Sequence, residues 1–238
     1  MKAMIFAAGL GSRLKPWTDH HPKALAVVNG KSLLQRNIEY LQKHGVDELI
    51  VNVHHFSDQI IDVIEKNKGW GSTVTISDET NAVLETGGGL KKAAWYFETA
   101  NDFVVMNADI LTEMNLSAMI LQHQQQKSLA TLAVSDRDTS RYFLFDENEK
   151  LCGWRNTKTG EEKISIPVKS LIEKAYSCVV IFEPSVFPLI KQEGKFSLVE
   201  TYLDLARNHT ILGYDHTGDH LVDVGKPESV AVAEKFFL

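Results

Sequence analysis

The sequence predicts an α/β fold built on a parallel or mostly parallel central sheet, and three observations predict it. Apolar strand patterns alternate with amphipathic helix patterns through the first half, with short connections between them, as crossover-linked parallel strands require. The first strand runs directly into a small-residue loop, Ala7-Ala8-Gly9-Leu10-Gly11-Ser12. Asp109 falls immediately past the carboxyl end of a later strand. Ligands of open α/β sheets collect at those ends, so the loop and the carboxylate should face one crevice.

Taken in order, the first strand is expected over residues 4–7. Ser32 caps a helix reaching about His44, with Leu33, Leu34, Ile38 and Leu41 on one face and Gly45 at its end. A second strand covers 49–53, and Ser57 caps a helix bearing Ile60, Ile61 and Ile64. A third strand covers 73–76. Gly87-Gly88-Gly89 reads as a turn, followed by a helix and the strand 103–106. The second half is less regular. A strand is expected over 129–134, and 142–145 with 151–154 form a hairpin across Asp146-Glu147-Asn148-Glu149. Polar residues 156–163 read as an exposed loop. A buried strand over 176–182 ends at Glu183-Pro184, and 196–207 has helical periodicity. Strands over 211–214 and 221–224 lead to a last helix over 228–237, with Pro227 in its first turn. No repeat or linker interrupts residues 1–238, which read as one domain. Residues 1–115 form a nucleotide-binding half, and 116–238 a half that covers the substrate and adds a second metal ligand.

Composition narrows the function. The 238 residues are 44% hydrophobic and 24% charged, ordinary for a soluble globular chain with a substantial core. A formal net charge of −6 disfavours nucleic acid as a partner. Cys152 and Cys178 are the only cysteines, too few for a disulfide framework or a zinc site. The apolar run before Gly9 is too short for a secretory segment, and no stretch is long enough to span a membrane. The cytoplasm is the expected compartment, and the protein is expected to be a monomer or small homo-oligomer. The nine histidines, His20-His21 and His54-His55 among them, show no metal-ligand spacing.

The glycine loop carries the clearest chemistry. Glycine lets the backbone turn its N–H groups inward into an anion nest, and Arg13, Lys15 and Lys23 follow closely. Cations beside such a nest suit a polyphosphate. Two better-known loops are excluded. Leu14 occupies the third glycine position of a dinucleotide fingerprint, Asn29-Gly30 stands where its ribose acid should be, and no P-loop pattern occurs.

The segment AAGLGSRLKP followed by HPKAL resembles the signature of the sugar-1-phosphate nucleotidyltransferases. Leu84-Glu85-Thr86-Gly87-Gly88-Gly89 is similar to the base-holding segment of that family. Asn107-Ala108-Asp109 and Val222-Asp223-Val224-Gly225 are similar to the two segments that each supply a metal-binding aspartate. The likeness extends from residue 1 to about 226, and LETGGG and the chain length look most similar to the N-acetylmuramate-1-phosphate uridylyltransferases. It implies a Rossmann-like three-layer sandwich with a mixed, mostly parallel sheet, of the glycosyltransferase-A-like kind. It also implies an enzyme that joins an NTP, UTP by preference, to a sugar 1-phosphate with Mg²⁺, releasing pyrophosphate.

Carried onto this chain, the resemblance makes Arg13 and Lys23 catalytic. Arg13 would neutralise the departing phosphates, and Lys23 would bridge the incoming phosphate and the α-phosphate. Ala8, Gly9, Gly11, Ser12, Arg13, Glu85, Thr86, Gly87, Gly88 and Asn107 would hold the nucleotide, and Asp109 and Asp223 the Mg²⁺. Tyr142, Asn156, Ser177 and Glu200 are the sugar-side candidates, with Trp154 a stacking platform or a core residue. The sequence departs from the family pattern at Ala108, at Lys226 and at Arg141-Tyr142-Phe143, where a sugar-contacting aspartate is expected. The acceptor therefore stays open. Cytidylyl or guanylyl transfer to phosphocholine, mannose phosphate or heptose phosphate, and a regulatory nucleotide-binding subunit, are the competing readings.

Overall fold

The computed structural model describes residues 1–238. Its core is a twisted sheet in which Lys2–Phe6 (β1) pairs in parallel with Glu48–Val53 (β4) on one side and with Phe103–Asn107 (β6) on the other. Thr73–Asp78 (β5) extends it in parallel from β4. Two short strands, Val27–Val28 (β2) and Lys31–Ser32 (β3), make a separate ribbon after the glycine loop, and Ile110–Thr112 (β7) follows β6 at once.

Beyond β6 the sheet changes character. Ile172–Phe182 (β12) lies antiparallel to β6 and, on its other side, to Ala130–Ser135 (β8). Its first residues, Ile172 to Lys174, pair instead with Arg141–Phe145 (β9). Leu151–Asn156 (β10) and Glu161–Ile164 (β11) complete that outer meander, and Ile211–Asp215 (β13) pairs in parallel with β8. The expected loop over 156–163 is therefore only a turn at 157–160, because β11 adds a strand to β10. The last strand, Leu221–Asp223 (β14), pairs with β7 apart from the main sheet.

Strand residues alternate between two cores, as a period of two demands. Ala3 and Ile5 of β1, with Leu49 and Val51 of β4, face Leu33–Lys43 (α1), Ser57–Lys66 (α2) and Leu116–Gln126 (α4). Met4, Ile50 and Val105 face the other layer, which holds Glu85–Lys92 (α3) and Leu198–Ala206 (α5). The result is three layers around a mixed, mostly parallel sheet. A third, smaller core joins Leu14 and Leu33 to Val222, Val224 and Ala233, and so fastens Pro227–Phe236 (α6) near the glycine loop. No helix is long and apolar enough to cross a membrane.

Local chemistry sets the helix ends. Ser32 accepts from the Gln35 N–H and caps α1 as expected. Ser57 does not cap α2: it is the first helical residue, after Phe56 in the left-handed region. Gly87-Gly88-Gly89 is not a turn either, but lies inside α3.

Candidate active site

A cleft of about 370 Å³ opens at the carboxyl ends of β1, β4 and β6. Ala8, Gly9, Lys23, Glu85, Thr86, Asn107 and Asp109 all line it, so elements far apart in sequence meet there.

The loop after β1 is held from below. Asn52, buried in β4, accepts from the Ala7 N–H at 2.7 Å and from the Ala8 N–H at 3.3 Å, and donates to Glu79 Oε1 at 2.8 Å. Ala8 therefore lines the cleft with its N–H already engaged. The N–H groups of Gly9, Leu10 and Gly11 donate to no protein group and remain for an anion. Gly11 adopts φ +63, and a Cβ there would lie 2.8 Å from Lys23 Cβ. Only glycine lets the loop fold back against Lys23. At Gly9 a Cβ would meet nothing within 4 Å.

Asp109 occupies the turn between β6 and β7. The preceding Ala108 donates to Phe6 O at 3.0 Å and accepts from Asn37 at 2.8 Å, which fixes the turn from both sides. Lys23 Nζ forms an ion pair with Asp109. The β7–β14 ribbon then brings the second aspartate alongside: Asp223 faces Ile110 in register, and the Val224 N–H donates to Asp109 O at 2.8 Å. Burial, and next the charge of Asp109, push the Asp223 carboxyl above the usual carboxylate range; Lys23, Arg13 and Arg137 pull the other way. Arg13 Nη2 stands 4.0 Å from Asp223 Oδ2. Gly225 permits that approach, because a Cβ there would lie 2.8 Å from Asp223 Oδ1 and 3.0 Å from Arg13 Nη2. Ser12 opens the short helical turn that carries Arg13. Lys15 is spent on Asp19 at 2.8 Å.

Glu85 and Thr86, which open α3, also line the cleft, as do Ser197 and Val83. Thr86 Oγ1 accepts from the Leu198 N–H at 3.1 Å. The three glycines permit close approaches within the protein. A Cβ on Gly87 would sit 2.3 Å from the Phe196 ring, on Gly88 2.1 Å from Gly194 O, and on Gly89 2.8 Å from Glu79 Oε1. Their lack of side chains lets α3 press against the 194–196 segment and the Asn52–Glu79 pair. Gly87 and Gly88 therefore shape the pocket from behind rather than lining it.

The sugar-side candidates are not brought together. Ser177 is fully buried with its hydroxyl 2.6 Å from His216 Nε2. Asn156 is buried, accepts from the Lys158 N–H and shapes the β10–β11 turn. Glu200 is exposed on α5, 3.8 Å from Lys163. The Tyr142 hydroxyl accepts from the Thr139 N–H at 3.0 Å. Trp154 packs partly into the core, with Lys163 Nζ 5.8 Å from its ring centre. None of these five lines the cleft.

Sequence reading missed Asn52 and Glu79. The first had a signal, an amide inside the apolar run Leu49-Ile50-Val51-Asn52-Val53. Buried polar groups are kept only where they are paired. Burial also drives the Glu79 carboxyl above its ordinary range, and its Oε2 has no partner.

The family model described as nucleotidyl transferase matches residues 2–237, and the chain belongs to that family. It is 30% identical over 212 residues to the UTP–glucose-1-phosphate uridylyltransferase of Synechocystis, covering 83% of this chain and 53% of that protein. The chain thus spans about half the length of that relative. To the N-acetylmuramate alpha-1-phosphate uridylyltransferase of Neisseria meningitidis it is 28% identical, over 94% of this chain and 93% of the other. The structure of HddC from Yersinia pseudotuberculosis complexed with GMP-PN superimposes with a TM-score of 0.79 at 26% identity, over 100% of this chain and 99% of that one.

Proposed function

We propose that this nucleotidyl transferase uses an NTP, UTP by preference, to transfer a nucleoside monophosphate to a sugar 1-phosphate, giving an NDP-sugar and pyrophosphate. One observation carries the reading. The free N–H groups of Gly9 to Gly11, the Lys23–Asp109 pair and the Glu85–Thr86 end of α3 share one cleft. Such a cleft offers donors for a phosphate, a charged pair, and a helix end beside which a base would fit.

In the reaction a phosphate oxygen of the sugar attacks the α-phosphorus, a P–O bond forms, and the bond to pyrophosphate breaks in line. The attacking phosphate is already ionised, so no base need remove a proton. The protein's part is positioning and charge compensation. The N–H groups of Gly9 to Gly11 hold the triphosphate, and Arg13 neutralises the departing pyrophosphate. Lys23 lies between the two reacting phosphates. Glu85, Thr86 and the main chain around them receive the base, and Asn107 a sugar hydroxyl.

Asp109 and Asp223 suit Mg²⁺. Two carboxylates held side by side, one of them disfavoured as an anion by burial and by its neighbour, leave a deficit of positive charge. Mg²⁺ characteristically takes one or two carboxylates, waters and phosphate oxygens. When bound, it would neutralise charge on the reacting phosphates and order them.

The Synechocystis and Neisseria relatives, both uridylyltransferases by name, support UTP and a hexose-type acceptor. The likeness to a protein seen with GMP-PN supports guanylyl transfer as a second reading. The test is Mg²⁺-dependent pyrophosphate release across UTP, GTP, CTP, ATP and dTTP, each with muramate-, glucose- and mannose-type 1-phosphates and phosphocholine. UTP with an N-acetylated sugar phosphate is expected to be fastest. A preference for GTP would favour the second reading. Nucleotide binding without release from any pair would replace both with the regulatory subunit.

A further inference from the structure

We infer that Arg137 is an acceptor-binding residue of this enzyme, holding the phosphate of the incoming sugar 1-phosphate from the β8 side of the Asp109–Asp223 pair, just beyond the residues that line the cleft; the assignment rests on the proposed reaction. The sheet places it there. Strands β6 and β8 both lie antiparallel to β12, one on each side of it, so their carboxyl ends emerge at the same edge. Asp109 stands two residues past the end of β6, and Arg137 two residues past the end of β8.

Between them β12 is distorted. Its register against β8 jumps between Tyr176 and Val180, and Cys178 sits inside the jump at φ +56. Non-glycine residues are rarely held in that region without a local reason. Two contacts hold it: Ser177 is tied to His216 at 2.6 Å, and Arg137 Nη2 donates to Tyr176 O at 2.7 Å. The Thr139–Tyr142 bond pins the far side of the same loop.

The guanidinium is otherwise uncommitted. Its neighbour Asp136 pairs with Lys174 at 2.6 Å, and Lys174 also holds Asp215. No carboxylate lies within 4.0 Å of Arg137 itself. Arg13 and Lys23, by contrast, already face Asp223 and Asp109. Arg137 and Lys23 both lie close enough for their charges to act on Asp223. A second cation on the β8 side of the metal carboxylates suits a second phosphate beside the α-phosphate. The planar fork of arginine matches a phosphate's paired oxygens.

The test compares wild type, Arg137→Ala and Arg137→Lys by steady-state kinetics. It adds titration of N-acetylmuramate, glucose and mannose 1-phosphates into each protein with Mg²⁺ and a non-cleavable UTP analogue. Arg137→Ala is expected to raise the acceptor KM and Kd at least tenfold, with the KM for UTP within twofold and cooperative melting retained despite the lost bond to Tyr176 O. Arg137→Lys should recover part of the loss. Acceptor binding by Arg137→Ala equal to wild type, or an equal loss for UTP, overturns the assignment alone. Wild type that binds the UTP analogue but no sugar 1-phosphate overturns the proposed reaction, and the assignment with it.

Discussion

The two sides of the sheet are built differently. The parallel strands β5, β4, β1 and β6 run without a bulge and deliver the glycine loop, Asn52 and Asp109 to one edge. The sheet beyond β6 hangs on β12, which changes partners from β9 to β6 and slips register against β8 along its length. Regular parallel strands place the residues just past their ends at heights that follow from strand length alone. A strand that switches neighbours places its residues by tertiary pairing. The β1–β6 edge is therefore a property of the chain's local pattern, and the region around β12 a property of how distant segments meet.

The contrast is broken most severely at Asp109. Asp109→Asn should lower kcat/KM with Mg²⁺ on the order of 10³-fold while the fold survives, since the turn is held by Ala108 backbone bonds. Near-normal turnover would remove the metal from this carboxylate. Lys23→Ala should follow with a loss of about 10²-fold in kcat/KM, mainly in kcat. Steady-state rates against both substrates read it, and a purely structural Lys23 would leave kcat intact.

Next in size are the glycines, which separate packing from binding. Gly88→Ala would put a methyl 2.1 Å from Gly194 O, and urea unfolding should show a loss of about 1–3 kcal/mol. Gly9→Ala meets open space and should leave stability alone while weakening UTP.

Acidification should act more gently. Burial lowers the pKa of His123 and His216, so the folded protein keeps them neutral while the unfolded chain takes up protons near its ordinary value of about 6.5. Stability is therefore lost as pH falls below that value. His44 is lowered by burial in the same way, while Glu79 and Asp223, both raised by burial, act in the opposite sense, gaining stability as they protonate in the fold. Three histidines against two carboxyls predict a lower melting temperature at pH 5.5 than at pH 7.5; a higher one at pH 5.5 would contradict the burial of these rings. The smallest effect belongs to Glu200→Gln. An exposed ion pair away from the cleft should change acceptor KM by less than about twofold.

The same contrast decides what could be read in advance. The strand–helix alternation, the Ser32 cap and the junction of β6 with Asp109 were legible because period, capping and strand ends are local. The pairing of Asp223 with Asp109 followed from motif resemblance, and the β7–β14 ribbon supplies its physical basis. A glycine row signals close approach without saying to what; at Gly87 and Gly88 the partners are Phe196 and Gly194. Nothing local in the sequence showed that Ser177, Asn156 and Glu200 engage His216, Lys158 and Lys163. Arg137 was invisible, since its relevance depends on β8 and β6 flanking β12.

The account stands or falls on what the cleft holds. A crystal structure with Mg²⁺ and a non-cleavable UTP analogue is predicted to show the triphosphate on the Gly9–Gly11 N–H groups, the ion between Asp109 and Asp223, and uracil against Glu85 and Thr86. A nucleotide bound elsewhere, or in this cleft with its phosphates turned toward α3, would contradict it.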